Sequence, residues 1–225
     1  MKKAALENEA DLVGITRVNP DWVFEGYAAP YEWIIVLGVA MEYDCLKTAP
    51  SEKSQTECQK QYARGTRAAW KLAAWMHEHG AQGSPHGGPE AGPVTMIPAA
   101  IEAGIGELGK HGSMITREFG SSFRLACVLT NIPLNTDAPD VFGGDDFCLN
   151  CQICANVCPV DAIYHDKQMV RGERKWYVDF DEFVLYFVEN NGCGICIGQC
   201  PWSRPSIGPR LIEKMARRRA GQVAE

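Results

Sequence analysis

The chain has 225 residues, a hydrophobic fraction of 46% and a net charge of −6. This composition fits a folded protein of one or two domains and excludes a disordered chain. The acidic balance argues against a general binder of nucleic-acid backbones, and no stretch is apolar for long enough to span a membrane.

Residues 1–20 begin with a helical pattern that ends near Glu9 to Leu12. A short apolar stretch, Val13 to Val18, follows, and Asn19-Pro20 punctuates it. Trp33 to Met41 is a continuous apolar, β-branched run between polar residues, which predicts a buried central strand. Glu57 to His79 predicts a long helix: Tyr62, Ala69, Leu72, Ala73 and Met76 recur at helical spacing and Gly80 stops it. Gly83 to Pro93 is too rich in glycine and proline to continue a helix or strand. It reads as a loop, and with His86 and Glu90 it is either an ordinary connection or the lining of a ligand site. Pro98 to Ala103 predicts a short helix with proline in its first turn. Gly104 to Gly112 is punctuated by glycines, which allow the backbone to approach a large ligand closely, but it holds no Walker or dinucleotide fingerprint. Phe123 to Asn131 predicts a second buried strand, ended by Pro133. Together these elements predict an α+β main domain with an inserted or appended ferredoxin module.

Seven of the ten cysteines fall into two tight groups near the C-terminus. Cys148, Cys151, Cys154 and Cys158 precede Pro159, in the spacing C-x2-C-x2-C-x3-C-P. Cys193, Cys196 and Cys200 precede Pro201, in the spacing C-x2-C-x3-C-P. The first spacing is that of bacterial ferredoxins, in which the last cysteine of each run ligates the other cluster. By that rule Cys148, Cys151, Cys154 and Cys200 hold one cluster, and Cys158, Cys193 and Cys196 hold a second. The second set is one thiolate short. It suits a three-iron cluster, or a four-iron cluster completed from elsewhere by Asp179, Asp181, Cys45, Cys58 or Cys127. Disulfides fit poorly, because Lys2-Lys3 is followed by no signal-peptide core and the expected compartment is the reducing cytoplasm. Zinc favours paired cysteines over a run of three plus Cys-Pro. The basic run Arg217-Arg218-Arg219 reads as a solvated helix end.

Beyond these spacings, the run Ile97 to Thr116 resembles the corrinoid-binding segment of reductive dehalogenases. So do Glu118-Phe119-Gly120, Arg124-Leu125, Thr130 to Leu134 and Lys175 to Asp179. The related epoxyqueuosine reductases share the Ala-Gly-x-Gly-x-x-Gly-Lys core and the paired clusters. The resemblance implies a nitroreductase-like α+β core over 1–140 that binds cobalamin, a ferredoxin-like lobe over 141–210 and a C-terminal helix or tail over 211–225. It implies two iron–sulfur clusters that feed a corrinoid cobalt, an organohalide substrate, and a reduced ferredoxin or flavodoxin as electron donor. It places the corrinoid against Met41, Gly104, Gly106, Gly109, Lys110, His111 and Gly112. It assigns the proton donor to Tyr62, with Arg124 as its basic partner and Tyr43 as a rival donor. A free phenol is a weak acid, so a nearby cation would help by stabilising the phenolate left behind.

The chain departs from the dehalogenase pattern at Phe183, where many members carry a cysteine, and it is shorter than respiratory members and lacks their twin-arginine signal. Two other readings stay open. An epoxyqueuosine-type tRNA reductase would use an acidic donor, for which the 83–93 loop offers Glu90. A plain electron carrier would leave the first ~140 residues without a task.

Overall fold

The computed structural model describes residues 1–88 and 92–223. In chain order the first elements are α1 (Lys2–Glu7), β1 (Leu12–Arg17), β2 (Trp33–Ala40), α2 (Tyr43–Leu46) and α3 (Glu52–Glu78). Next come β3 (Ser84–Gly87), α4 (Met96–Glu102), β4 (Glu107–Leu108), β5 (Met114–Ile115) and β6 (Phe123–Thr130). The cysteine-rich part holds α5 (Gly144–Asn150), α6 (Ile153–Asn156), β7 (Gln168–Val170), β8 (Glu173–Lys175), α7 (Phe180–Glu189), α8 (Ile195–Gln199) and α9 (Gly208–Val223). Among the described residues no helix is long and apolar enough to cross a membrane.

The chain divides into two compact units. One comprises 1–40, 58–105 and 123–140, and the other 41–57, 106–122 and 141–225. The junction expected after 140 coincides with a unit boundary, and the division is otherwise corrected in two ways. Residues 41–57 and 106–122 fold with the cysteine-rich part, and the tail from 211 belongs to it as well. Backbone contacts explain this. A Cβ on Gly198 would lie 2.6 Å from the Leu46 carbonyl oxygen, and Met215 of α9 packs over Gly143.

The first unit is built on an antiparallel four-stranded sheet in the order β1-β2-β6-β3. β2 is the strand that its apolar run predicts, with both faces covered. Ile35 and Leu37 join Ile15, Ala126 and Val128 against Ala68, Ala69, Leu72, Ala73 and Met76 of α3. α3 begins at Glu52, more than a turn before the predicted start. The 83–93 segment is corrected in part, because Ser84–Gly87 pairs with β6 as an edge strand. Pro85 is tolerated there because an edge strand is bonded on one side only.

The second unit has its own apolar centre. Ile115, Phe142, Trp176 and Trp202 cluster with Cys148 and Cys200. Gly120 has a φ of +56° and lies so close to Trp202 that an added Cβ would stand 1.9 Å from the Trp202 carbonyl oxygen. Only glycine meets both demands.

Candidate iron–sulfur and redox site

Short helices bring the seven cysteines together. α5 ends at Cys151 and carries Cys148, α6 carries Cys154, and α8 carries Cys196 with Cys200 at its C-terminal cap. The start of α5 is fixed from a distance. The buried Glu107 carboxylate accepts the N–H groups of Phe142, Gly143 and Gly144 at 2.9, 2.8 and 2.7 Å. Those donors have no partner inside the helix, and a buried carboxylate needs several of them. Asp145 then holds Trp176 Nε1 and Lys167 Nζ, each at 2.6 Å.

Burial dominates the thiols. It pushes Cys148, Cys154 and Cys196 up to about 12. It also raises Cys200, against hydrogen bonds donated by Trp202 N–H, the Ser121 hydroxyl and Ser203 N–H. The mutual repulsion runs within and between the two cysteine sets. Cys148 feels Cys200, Cys154 and Cys151, and Cys196 feels Cys193 and Cys158 most. Cys154 feels Cys196 as well as Cys200 and Cys151, so the two sets adjoin there. Thiols this buried do not ionise alone, and bound iron supplies the positive charge that displaces their protons. Backbone donors already point at the sulfurs, from Lys110 to Cys148 and from Ile197 to Cys196. The donor set therefore fits iron–sulfur clusters. Among the described residues no three His, Cys, Asp or Glu side chains converge on a single ion, whereas a cluster spreads its thiolates over separate irons.

The structure sorts the other suggested ligands. Cys127 is fully buried on β6 in the sheet unit, and burial pushes its thiol up to about 12. Cys58 belongs to the same unit and accepts a hydrogen bond from Arg124 Nη2 at 3.1 Å. Asp179 caps α7 by accepting the Asp181 N–H, and Asp181 is exposed. Cys45 is half-buried on α2, which packs on α8. Phe183 packs on Phe187, at 5.0 Å between ring centroids, and offers no ligand atom.

Tyr62 on α3 and Arg124 on β6 meet. The guanidinium carbon lies 5.0 Å from the phenol ring centroid, and Arg124 Nε is buried without a hydrogen-bond partner. Tyr43, the rival donor, opens α2 in the cysteine-rich unit.

The glycines expected to admit a corrinoid are pressed against the chain itself. Added Cβ atoms would stand 2.5 Å from the Ala138 carbonyl oxygen at Gly104 and 2.1 Å from that of Ile115 at Gly106. At Gly109 the neighbour is the His111 ring at 2.6 Å, and at Gly112 it is Val178 at 2.8 Å. Close packing of protein on protein occupies the side of each glycine where a Cβ would stand. Lys110 is also corrected: it is fully buried, and its Nζ donates to Gln152 Oε1 and to the His165 carbonyl, both at 2.8 Å. His111 is buried too. Its Nδ1 accepts the Ser113 N–H at 3.1 Å, which leaves Nε2 to donate to Ser121 Oγ at 2.9 Å. Burial pushes the ring down to about 4. Met41 is buried, and its N–H donates to the Ser122 carbonyl at 2.8 Å. His86 pairs with Ser84 Oγ at 3.0 Å on β3, and Glu90 lies outside the described residues.

Sequence reasoning passed over Glu107 and Ser121. An acid inside a glycine-rich apolar run was the available signal for Glu107. Ser121 had none, since its thiol partner Cys200 comes from a distant segment.

Comparison with known proteins agrees with this geometry. Residues 147–204 match the 4Fe-4S dicluster domain. A tetrachloroethene reductive dehalogenase of Desulfitobacterium hafniense is 31% identical over 220 residues, covering 92% of this chain and 39% of the relative. That of Sulfurospirillum multivorans is 28% identical, covering 92% of this chain and 50% of the relative. A catabolic reductive dehalogenase solved with 3-bromo-4-hydroxybenzoic acid superposes with a TM-score of 0.84 at 28% identity, over 93% of this chain and 32% of that one. The chain thus spans about two fifths of the first of these dehalogenases and a third of the solved one. An epoxyqueuosine reductase of Atelocyanobacterium thalassa is 26% identical, over 81% of this chain and 68% of the relative. An epoxyqueuosine reductase solved with a tRNA stem loop shares the fold, at a TM-score of 0.62 and 17% identity. With its mixed α+β fold and its two iron–sulfur cysteine sets, the chain is a reductive dehalogenase-like protein, and the epoxyqueuosine reductases are its more distant relatives.

Proposed function

We propose that the chain is the redox core of a corrinoid-dependent reductase acting on an organohalide, with a nitroreductase-like sheet unit and electrons entering through the two clusters. The observation that carries the reading is the Tyr62–Arg124 pair. A phenol is a useful proton donor only if the phenolate it leaves is stabilised, and a guanidinium stacked on the ring does that. Tyr62 Oη would then hand its proton to the carbon that loses halide, and Arg124 would hold the resulting charge until a proton returns. The corrinoid, when bound, would supply the metal-centred electron chemistry at the carbon–halogen bond. The external donor would be a low-potential one-electron carrier such as reduced ferredoxin or flavodoxin.

The test is anaerobic reconstitution with iron, sulfide and cobalamin, followed by halide release from a panel of halophenols beside reduction of epoxyqueuosine-tRNA. Retained corrinoid with halide release is the expected result. Turnover of the tRNA alone would move the chain to the tRNA-modifying branch. Clusters without any corrinoid retention would leave an electron carrier.

A further inference from the structure

Lys110 is the buried charge that the proposed chemistry has not used. It is fully buried, and both acceptors of its ammonium are neutral. The same ammonium lies 4.7 Å from the centroid of the Trp176 ring. Among the described residues it forms no ion pair with a carboxylate; the nearby Asp145 is taken by Lys167 and Trp176. A buried ammonium without a counter-ion is among the least tolerated groups in a protein interior. The negative charge available here is sulfur. The Lys110 N–H points at Cys148, and its charge acts on Cys154. From the same 106–122 segment, Ser121 turns its hydroxyl toward Cys200, held by the His111 Nε2–H.

We propose that Lys110 is the built-in counter-ion of the cluster held by Cys148, Cys151, Cys154 and Cys200, and that it and Ser121 raise the reduction potential of this cluster. The inference rests on the two-cluster reading. A four-iron cluster with four thiolates is an anion, and taking up one electron adds one more negative charge. A fixed cation and an O–H donor at its edge stabilise the reduced form more than the oxidised form, which raises the potential. Cys196, in the second set, has other thiols and one backbone N–H around it. Lys110 and Ser121 are positioning residues: they touch neither substrate nor reacting atoms.

The test is an EPR-monitored redox titration of the reconstituted wild type and of Lys110→Met, Lys110→Arg and Ser121→Ala, with iron and sulfide measured on each. In Lys110→Met, one cluster is expected to shift to a more negative midpoint while the other stays. Lys110→Arg should hold the wild-type value, and Ser121→Ala should shift the same cluster by less. Unchanged midpoints in a fully loaded Lys110→Met overturn the proposal. If Lys110→Met loads no iron while Lys110→Arg loads fully, the need for the charge is upheld; if both fail, shape rather than charge is at stake and the proposal falls. Wild-type protein that takes up no iron and sulfide sinks the cluster reading itself, and this inference with it.

Discussion

Tyr62 and Arg124 come from a helix and a strand far apart in sequence, and the sheet unit stacks one on the other. Tyr62→Phe keeps the ring for Arg124 and removes only the hydroxyl. It is expected to retain clusters and fold while turnover falls about 100-fold or more; undiminished turnover with full iron content would move the proton donor elsewhere. His111 gives a pH dependence. Its ring is held down to about 4 by burial, while a free imidazole titrates near 6.5. Between these values the unfolded chain binds more protons than the folded one, so stability is full above about 6.5 and is lost as pH falls toward about 4. The full effect is on the order of 3 kcal/mol. Melting temperature against pH should show this slope in the wild type and lose it in His111→Gln. A slope that survives in the variant would assign it to other groups.

At the scale of elements, long-range caps decide what local sequence leaves open. α5 starts with two glycines and no side-chain cap of its own, and Glu107 supplies the acceptor from β4. Glu107→Ala would leave those N–H groups buried and unpaired, at a cost of about 3 kcal/mol. Denaturant unfolding should show the loss, together with weaker iron retention because α5 carries Cys148; an unchanged midpoint would mean that water replaces the carboxylate. Gly120→Ala meets a backbone carbonyl and an unfavourable φ together. It is expected to cost about 3 kcal/mol, visible as a lower melting temperature with the Tyr62–Arg124 pair left in place. The strands β2 and β6 were legible because their apolar runs are short, β-branched and sharply ended. The strand at Ser84–Gly87 was not, because pairing with β6, rather than local composition, makes it a strand.

At the scale of the whole chain, the crossed pairing that the ferredoxin spacing predicts would leave the second cluster with Cys158, Cys193 and Cys196. Phe183 stands where the dehalogenase resemblance leads one to expect a cysteine. The reconstituted wild type is therefore expected to carry about seven irons per chain and Phe183→Cys about eight, with loss of a three-iron EPR signal. About eight irons in the wild type would mean that another residue closes the set. Cys45 would be the first to examine, since α2 packs on α8. The sequence by itself marked the two cysteine runs as a cluster region, because thiolates that wrap a cluster must sit at short fixed spacings. It also determined the main strands and the long helix, whose periodicity is local. Only the tertiary structure decided which chain segments make up each unit, what the glycines pack against, and which acceptors Lys110 meets. Those depend on contacts between distant residues, and glycine or lysine looks the same in sequence whether it faces a ligand, water or another stretch of the same chain.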